Sequence, residues 1–163
     1  MPRSGDSERP IADGAGAAMP WGIASCRPVT FRSVSDAGVG LAFAEGGRDV
    51  PFAIARVYYL WNLHPGLVRA RHAHRELQQV YLAVNGSIDV HLRDDQGERT
   101  VTLDQPQHGL YLGPMVWRHI EARTPGAVLL VLASDIYRES DYFRDLDAYL
   151  AAATEHRRQP GQP

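Results

Sequence analysis

The stretch that decides the fold is Val68 to Gly86, VRARHAHRELQQVYLAVNG. His72 and His74 lie two apart in a segment that otherwise has the composition of a strand. Strand side chains alternate between faces, so both imidazoles are expected to project from one surface of a sheet. From Gln79 to Val90 the apolar pattern continues through Tyr81, Leu82, Val84, Ile88 and Val90, interrupted by Asn85-Gly86. An Asn-Gly pair between apolar strands tolerates positive φ at both positions and predicts a β-hairpin. Two histidines on one sheet face can be half-buried structural residues. The wider spacing argues for more: Gly66, five residues, His72-x-His74, four residues, Gln79, six residues, Gly86.

That spacing resembles the first motif of the cupin superfamily, small β-barrels of jelly-roll topology, with Gln79 where metal-binding cupins usually carry glutamate. Pro114-Met-Val-Trp-Arg-His119 resembles the second motif, with His119 at the position of a third histidine and Val116 in place of the usual glycine. The resemblance implies an all-β jelly-roll barrel. It leaves the chemistry open, because cupins host many unrelated functions.

Bulk properties agree with a single domain. A chain of 163 residues buries a core without disulfides and is short for two large domains. The formal charge of −2, with both signs intermixed, gives no reason to invoke nucleic acid. A single cysteine, Cys26, excludes an intrachain disulfide and fits a reducing compartment. No apolar run reaches membrane-spanning length, and the N-terminus lacks a basic-then-apolar leader. A soluble, cytoplasmic protein with no membrane partner is expected.

Along the chain, residues 1–20 are rich in Gly, Ala, Ser, Asp and Pro and are expected to be disordered. A single cupin domain is expected over 21–152, followed by a flexible tail over 153–163. Cys26 to Phe31 reads as a short strand, Ser33-Asp36-Gly38 as a turn, and Val39, Leu41 and Phe43 as a second strand. Phe52 to Leu63 predicts a third strand with much of both faces covered. In regular register Ile54, Arg56, Tyr58 and Leu60 share one face, and Ala55, Val57, Tyr59 and Trp61 the other. Arg56 stands out, since a charge in an apolar strand needs a partner, either a rim carboxylate or an anionic ligand. Asp94-Asp95-Gln96-Gly97 predicts a hairpin, and further strands follow near 100–103, 109–112, 117–121 and 127–133. Ser140 to Leu150 changes period, with Ser140 as a candidate N-cap and Tyr142, Leu146, Tyr149 and Leu150 as an apolar stripe. A short C-terminal helix packed on the barrel is expected.

A narrower resemblance rests on Arg69-Ala-Arg-His72-Ala-His74, Gln79, Asn85-Gly86-Ser87, Gly109-Leu-Tyr111, Pro114-Met-x-Trp117-Arg118, Leu132-Ala-Ser134 and Asp141-Tyr142-x-Arg144-Asp145. Together, over about Pro51 to Leu150, these resemble the cupin-type sugar-nucleotide 3,4-ketoisomerases of deoxysugar biosynthesis, which act on dTDP-4-keto-6-deoxyglucose. Ala70 departs from the family's Arg-Gly-x-His-Ala-His, and His119 stands where an acidic residue is expected. The resemblance implies a homodimer with exchanged N-terminal strands.

Moving a carbonyl from C4 to C3 requires loss of the C3 proton, an enediol or enediolate, and protonation at C4. No hydride leaves the sugar, so no cofactor is expected. Histidine suits such a shuttle because its ordinary pKa lies near neutrality. His74 is the first choice as carbon base and His72 as the relay at the sugar oxygens, with exchanged roles open. Arg56, Tyr58 and Gln79 are candidate donors to the developing oxyanion. Arg69, Arg71, Arg118 and His119 are candidates for the substrate's polar end, and Tyr81, Tyr111 and Trp117 for its base. Asp141, Arg144 and Asp145 are explained by helix capping and salt bridges. Two alternatives stay open. One is a metal-dependent cupin oxygenase, isomerase or epimerase using His72, His74 and His119 as ligands. The other is a noncatalytic sugar-nucleotide binding module.

Overall fold

The computed structural model describes Ile23 and residues 25–158; the disorder expected for residues 1–20 lies outside them. Twelve strands precede one helix: β1 (Cys26–Thr30), β2 (Arg32–Asp36), β3 (Val39–Phe43), β4 (Arg56–Leu63), β5 (Val68–His74) and β6 (Gln79–Asn85). They continue as β7 (Ile88–Arg93), β8 (Glu98–Leu103), β9 (His108–Leu112), β10 (Trp117–Ala122), β11 (Ala127–Ala133) and β12 (Tyr142–Phe143), ending in α1 (Leu146–Arg158). One five-stranded sheet runs β1-β9-β6-β11-β4 and the other β12-β5-β10-β7-β8. All pairings between named strands are antiparallel. The pairs β4–β11, β5–β10, β6–β9 and β7–β8 nest one inside the next, which is the jelly-roll order. The core fills the space between the sheets, with Ile88, Val90, Leu110, Leu112, Ile120 and Val131 all essentially inaccessible.

Four expectations change. The Asn85-Gly86 turn does not make a hairpin. β6 pairs with β9 and β11 while β7 pairs with β8 and β10, so the turn is a corner between sheets. Gly86 is required there twice over: its φ is +72°, and a Cβ would lie 2.4 Å from Thr124 Oγ1. Residues 32–36 form a strand rather than a turn. The reversal comes at Ala37-Gly38, whose φ values of 49° and 82° match the right-handed twist of the β2–β3 hairpin. The C-terminal helix begins six residues after Ser140, because Tyr142–Phe143 pairs with β5 as a strand. Asp145 is the cap, accepting the Ala148 N–H at 2.8 Å. The helix then continues to Arg158, over the first six residues of the tail expected at 153–163; the remainder of that tail lies outside the described residues. Tyr149 is fully buried against Trp117 and Phe143, and its hydroxyl donates to the carbonyls of Arg93 and Met115. Burying a large side chain of this kind contributes about 1.5–3 kcal/mol, which docks the helix.

The fourth change concerns β4. Its inner face carries Arg56, Tyr58 and Leu60 as the alternation predicts. The outer face is bare: Val57, Tyr59 and Trp61 are exposed, Trp61 at 70%. β4 is also the edge strand of its sheet.

Candidate active site

A bulge in β5 builds the site. Arg118 pairs with His72 and Ile120 with Arg69, so three steps along β5 match two along β10. The extra residue falls at Ala70, whose φ is +59°. A residue in the left-handed region is how such a bulge is made, and glycine is its easiest occupant. The bulge turns Arg69, Ala70 and His72 all toward one cavity of about 410 Å³, which Arg56, Tyr58, Leu60, Tyr81, Leu129, Val131, Tyr137, Tyr142 and Arg144 also line. Arg71 is left on the opposite face.

His72 and His74 lie side by side, their Nε2 atoms 3.1 Å apart. His74 is completely buried, and its Nδ1 lies 2.8 Å from Asp141 Oδ2. The second oxygen of Asp141 accepts the Glu76 N–H at 2.8 Å. The Tyr142 ring packs against both imidazoles, tilted to His72 at 4.9 Å and edge-on to His74 at 4.3 Å. Burial, reinforced by the Arg118 charge, pushes His72 down to about 3 and His74 to about 2, so both rings are neutral near pH 7.

Arg118 is fully buried, and its Nε, Nη1 and Nη2 have no hydrogen-bond partner among the described residues. A buried guanidinium without a counter-charge is costly and suits a site that receives negative charge. A donor chain faces the same space. Tyr81 donates to Gln79 Oε1 at 3.4 Å, and Gln79 Nε2 donates to Tyr58 Oη at 2.7 Å. The Tyr58 hydroxyl is also hydrogen-bonded with that of Tyr81, so Tyr58, Gln79 and Tyr81 form one linked polar group on the cavity wall. Burial, with Tyr81 and Tyr142 nearby, raises the Tyr58 pKa and keeps it a donor. At the rim, Arg56 lies 5.1 Å from the Tyr58 ring centre, and Arg144 is held bidentately by Glu139 at 2.6 and 2.7 Å. Tyr137 also donates to Glu139.

Of the residues expected from sequence, His72, His74, Arg56, Tyr58, Gln79, Arg69, Tyr81 and Arg118 come together. Four do not. His119 stacks on His91 at 4.4 Å, on the outer face of its sheet in a groove with Arg71, because it is Arg118 that shares the inner face with His72. Trp117 is buried under α1. Tyr111 packs with Phe52 on the outside of the other sheet and donates to Gln78. Asp141, Tyr137, Tyr142 and Arg144 were missed or assigned to capping. The useful signal was the spacing Tyr142-Phe143, which is strand-like and brings its neighbour Asp141 to the histidines.

Some cupins hold a metal, and these residues do not fit one. The third histidine faces away, Gln79 is engaged by two tyrosines, and the Arg118 charge repels a cation from the imidazoles. Among the described residues no three His, Cys, Asp or Glu are placed to share an ion. Nor is any described helix long and apolar enough to cross a membrane.

Comparison with known proteins agrees with this geometry. Residues 24–154 match the family FdtA, described as WxcM-like, C-terminal. A TDP-4-oxo-6-deoxy-α-D-glucose-3,4-oxoisomerase of Aneurinibacillus thermoaerophilus is 39% identical over 121 residues, 74% of this chain and 87% of that protein. The sugar 3,4-ketoisomerase QdtA of Thermoanaerobacterium thermosaccharolyticum, solved with TDP, superposes with a TM-score of 0.79 at 39% identity, covering 81% of this chain and 96% of QdtA. The TDP-quinovose 3,4-ketoisomerase WlaRB of Campylobacter jejuni gives a TM-score of 0.73 at 38% identity, with 77% and 97% covered. This chain is an isomerase of the FdtA family, the sugar-nucleotide 3,4-ketoisomerases.

Proposed function

We propose that the protein converts TDP-4-keto-6-deoxyglucose to a TDP-3-keto-6-deoxyhexose through an enediolate, with His72 as the carbon base. The observation that carries this is the neutral His72 imidazole on the cavity wall, backed by buried His74 and by the buried Arg118 guanidinium, which has no hydrogen-bond partner among the described residues. His72 takes the C3 proton, and the electron pair of that bond forms the C3=C4 double bond as the C4 oxygen becomes an oxyanion. Arg118, Arg56 and the Tyr58 hydroxyl are the donors that stabilise this charge. The proton on the C3 oxygen then passes to the C4 oxygen, C4 is protonated, and C3 becomes the carbonyl. Protons and electrons balance within the sugar and the histidine. His74, expected from sequence to be the base, has both ring nitrogens engaged, by Asp141 and by His72, so it acts behind His72. Arg69, Arg144 and the ring of Tyr137 at the rim are suited to the diphosphate and the nucleobase.

The test is incubation with TDP-4-keto-6-deoxyglucose in deuterated buffer, followed by NMR. Deuterium at C3 of the recovered substrate, with the carbonyl at C3 of the product, is the expected outcome. Stoichiometric binding with no exchange would turn the reading toward a binding module.

We further propose a homodimer in which N-terminal strands are exchanged. The β2–β3 hairpin, a separate two-stranded sheet, borders a groove of about 640 Å³ whose other wall is Leu82 and Val84 of β6 and Leu130 and Leu132 of β11, and it exposes Val34, Val39 and Leu41. The bare edge strand β4, with Tyr59 and Trp61, is a matching surface on a second copy. Light scattering should give twice the chain mass at assay concentration; a fully active monomer would defeat the proposal.

A further inference from the structure

We propose that Asp141 is a positioning residue that fixes the tautomers of both histidines and so makes Nδ1 of His72 the base nitrogen. This assignment rests on the ketoisomerase reading above. The contacts have a direction. Asp141 Oδ1 is held by the Glu76 N–H, which fixes the carboxylate's orientation, and Oδ2 faces His74 Nδ1 at 2.8 Å. A carboxylate oxygen only accepts, so the proton of His74 sits on Nδ1. A neutral imidazole has one N–H, so Nε2 of His74 is a lone pair. Across 3.1 Å it accepts the Nε2–H of His72. His72 then holds its one proton on Nε2, and Nδ1 keeps the free lone pair, with no other hydrogen bond to a described residue. Two hydrogen bonds therefore carry the choice of base nitrogen from a carboxylate on the C-terminal segment to the cavity wall.

The tautomer argument makes Asp141→Asn a sharp test. The Glu76 N–H needs an acceptor, which only the carbonyl oxygen of the asparagine can supply. Its NH2 then faces His74 Nδ1 and donates to it. His74 moves its proton to Nε2 and donates to Nε2 of His72, whose proton moves to Nδ1. The base is silenced with every imidazole still in place. The backbone carbonyl of residue 141, which accepts the Arg75 N–H at 2.9 Å, is untouched, so the attachment of β12 to β5 persists.

The experiment uses the full chain with 15N-labelled histidine, reading ring-nitrogen shifts by NMR beside C3 exchange, kcat, KM and melting temperature. The unmodified protein should show His74 protonated on Nδ1 and His72 on Nε2. D141N should show the reverse, with kcat and C3 exchange lower by about 10²–10⁴-fold and KM changed by less than about threefold. Full-rate exchange in a folded D141N, or the opposite tautomers in the unmodified protein, would overturn the proposal. The second measurement needs no variant and no substrate. Exchange by the unmodified protein tests the ketoisomerase reading separately.

Discussion

Replacing Arg118 by methionine separates a functional guanidinium from a structural one by the sign of the stability change. Methionine keeps most of the aliphatic stem and removes the charge. Nε, Nη1 and Nη2 of Arg118 are buried with no hydrogen-bond partner among the described residues. A buried unsatisfied donor costs about 1–3 kcal/mol, so three at the low end give about 3 kcal/mol. R118M should therefore stabilise the protein by roughly 2–4 kcal/mol, in line with other replacements of buried charge by apolar groups. For a chain of this size, with about 3 °C per kcal/mol, the melting temperature should rise on the order of 6–12 °C. Turnover should move the other way. Loss of one preorganised oxyanion donor costs about 10²–10³ in kcat. Thermal melts at fixed protein concentration, to hold any dimerisation constant, and steady-state kinetics on the same samples measure both. A variant that melts lower and turns over normally would show that the guanidinium holds the fold and leave the oxyanion without its buried cation.

Ala70→Gly should relieve a left-handed residue worth about 1–2 kcal/mol and lose about 0.4–1 kcal/mol in chain entropy, for a net gain of about 0.5–1 kcal/mol in urea unfolding. A loss of stability would argue against the bulge at that residue. Chelation with EDTA should leave turnover nearly intact, since no described residue is placed as a third ligand beside the imidazoles; loss on chelation and recovery with one divalent ion would reassign His72 and His74 as ligands. His72 and His74 are held below the ordinary 6.5, so the unfolded chain takes up protons that the folded rings refuse. Stability from this source is complete above pH 6.5 and declines as pH falls toward about 3. The urea midpoint should be lower at pH 5 than at pH 7, and His72→Asn should flatten that difference.

The alternation Arg56, Tyr58, Leu60 against Val57, Tyr59, Trp61 was legible because a period of two needs no knowledge of the partner strand. Coverage of that outer face was not, since the sequence of an edge strand and of a covered strand can look alike. The glycine at 86 reported positive φ and a change of direction, and nothing in it says whether the next strand pairs with the last or crosses to another sheet. His119 illustrates the parity problem. Its spacing fits a motif, but which of Arg118 and His119 points inward depends on the register of β10 against β5, which the bulge at Ala70 shifts by one residue. Asp141 was on view in the sequence. Its partner is 67 residues away, and proximity at that range is set by the pairing of Tyr142 with His74 rather than by any local pattern.

The same separation imposes an order on biosynthesis. The ribosome delivers β1 through β11, with both histidines, before Glu139, Asp141 and Tyr142 appear. Until then β5 lacks its outer neighbour and His74 lacks the carboxylate that pairs with its Nδ1. The barrel is thus expected to take shape before the catalytic apparatus is finished, and a protease cutting between Ser134 and Glu139 would sever chemistry from scaffold at one stroke. Nascent chains stalled short of Glu139 and past Arg158 would separate the two events: the shorter should bury its tyrosines without exchanging a sugar proton, and the longer should do both.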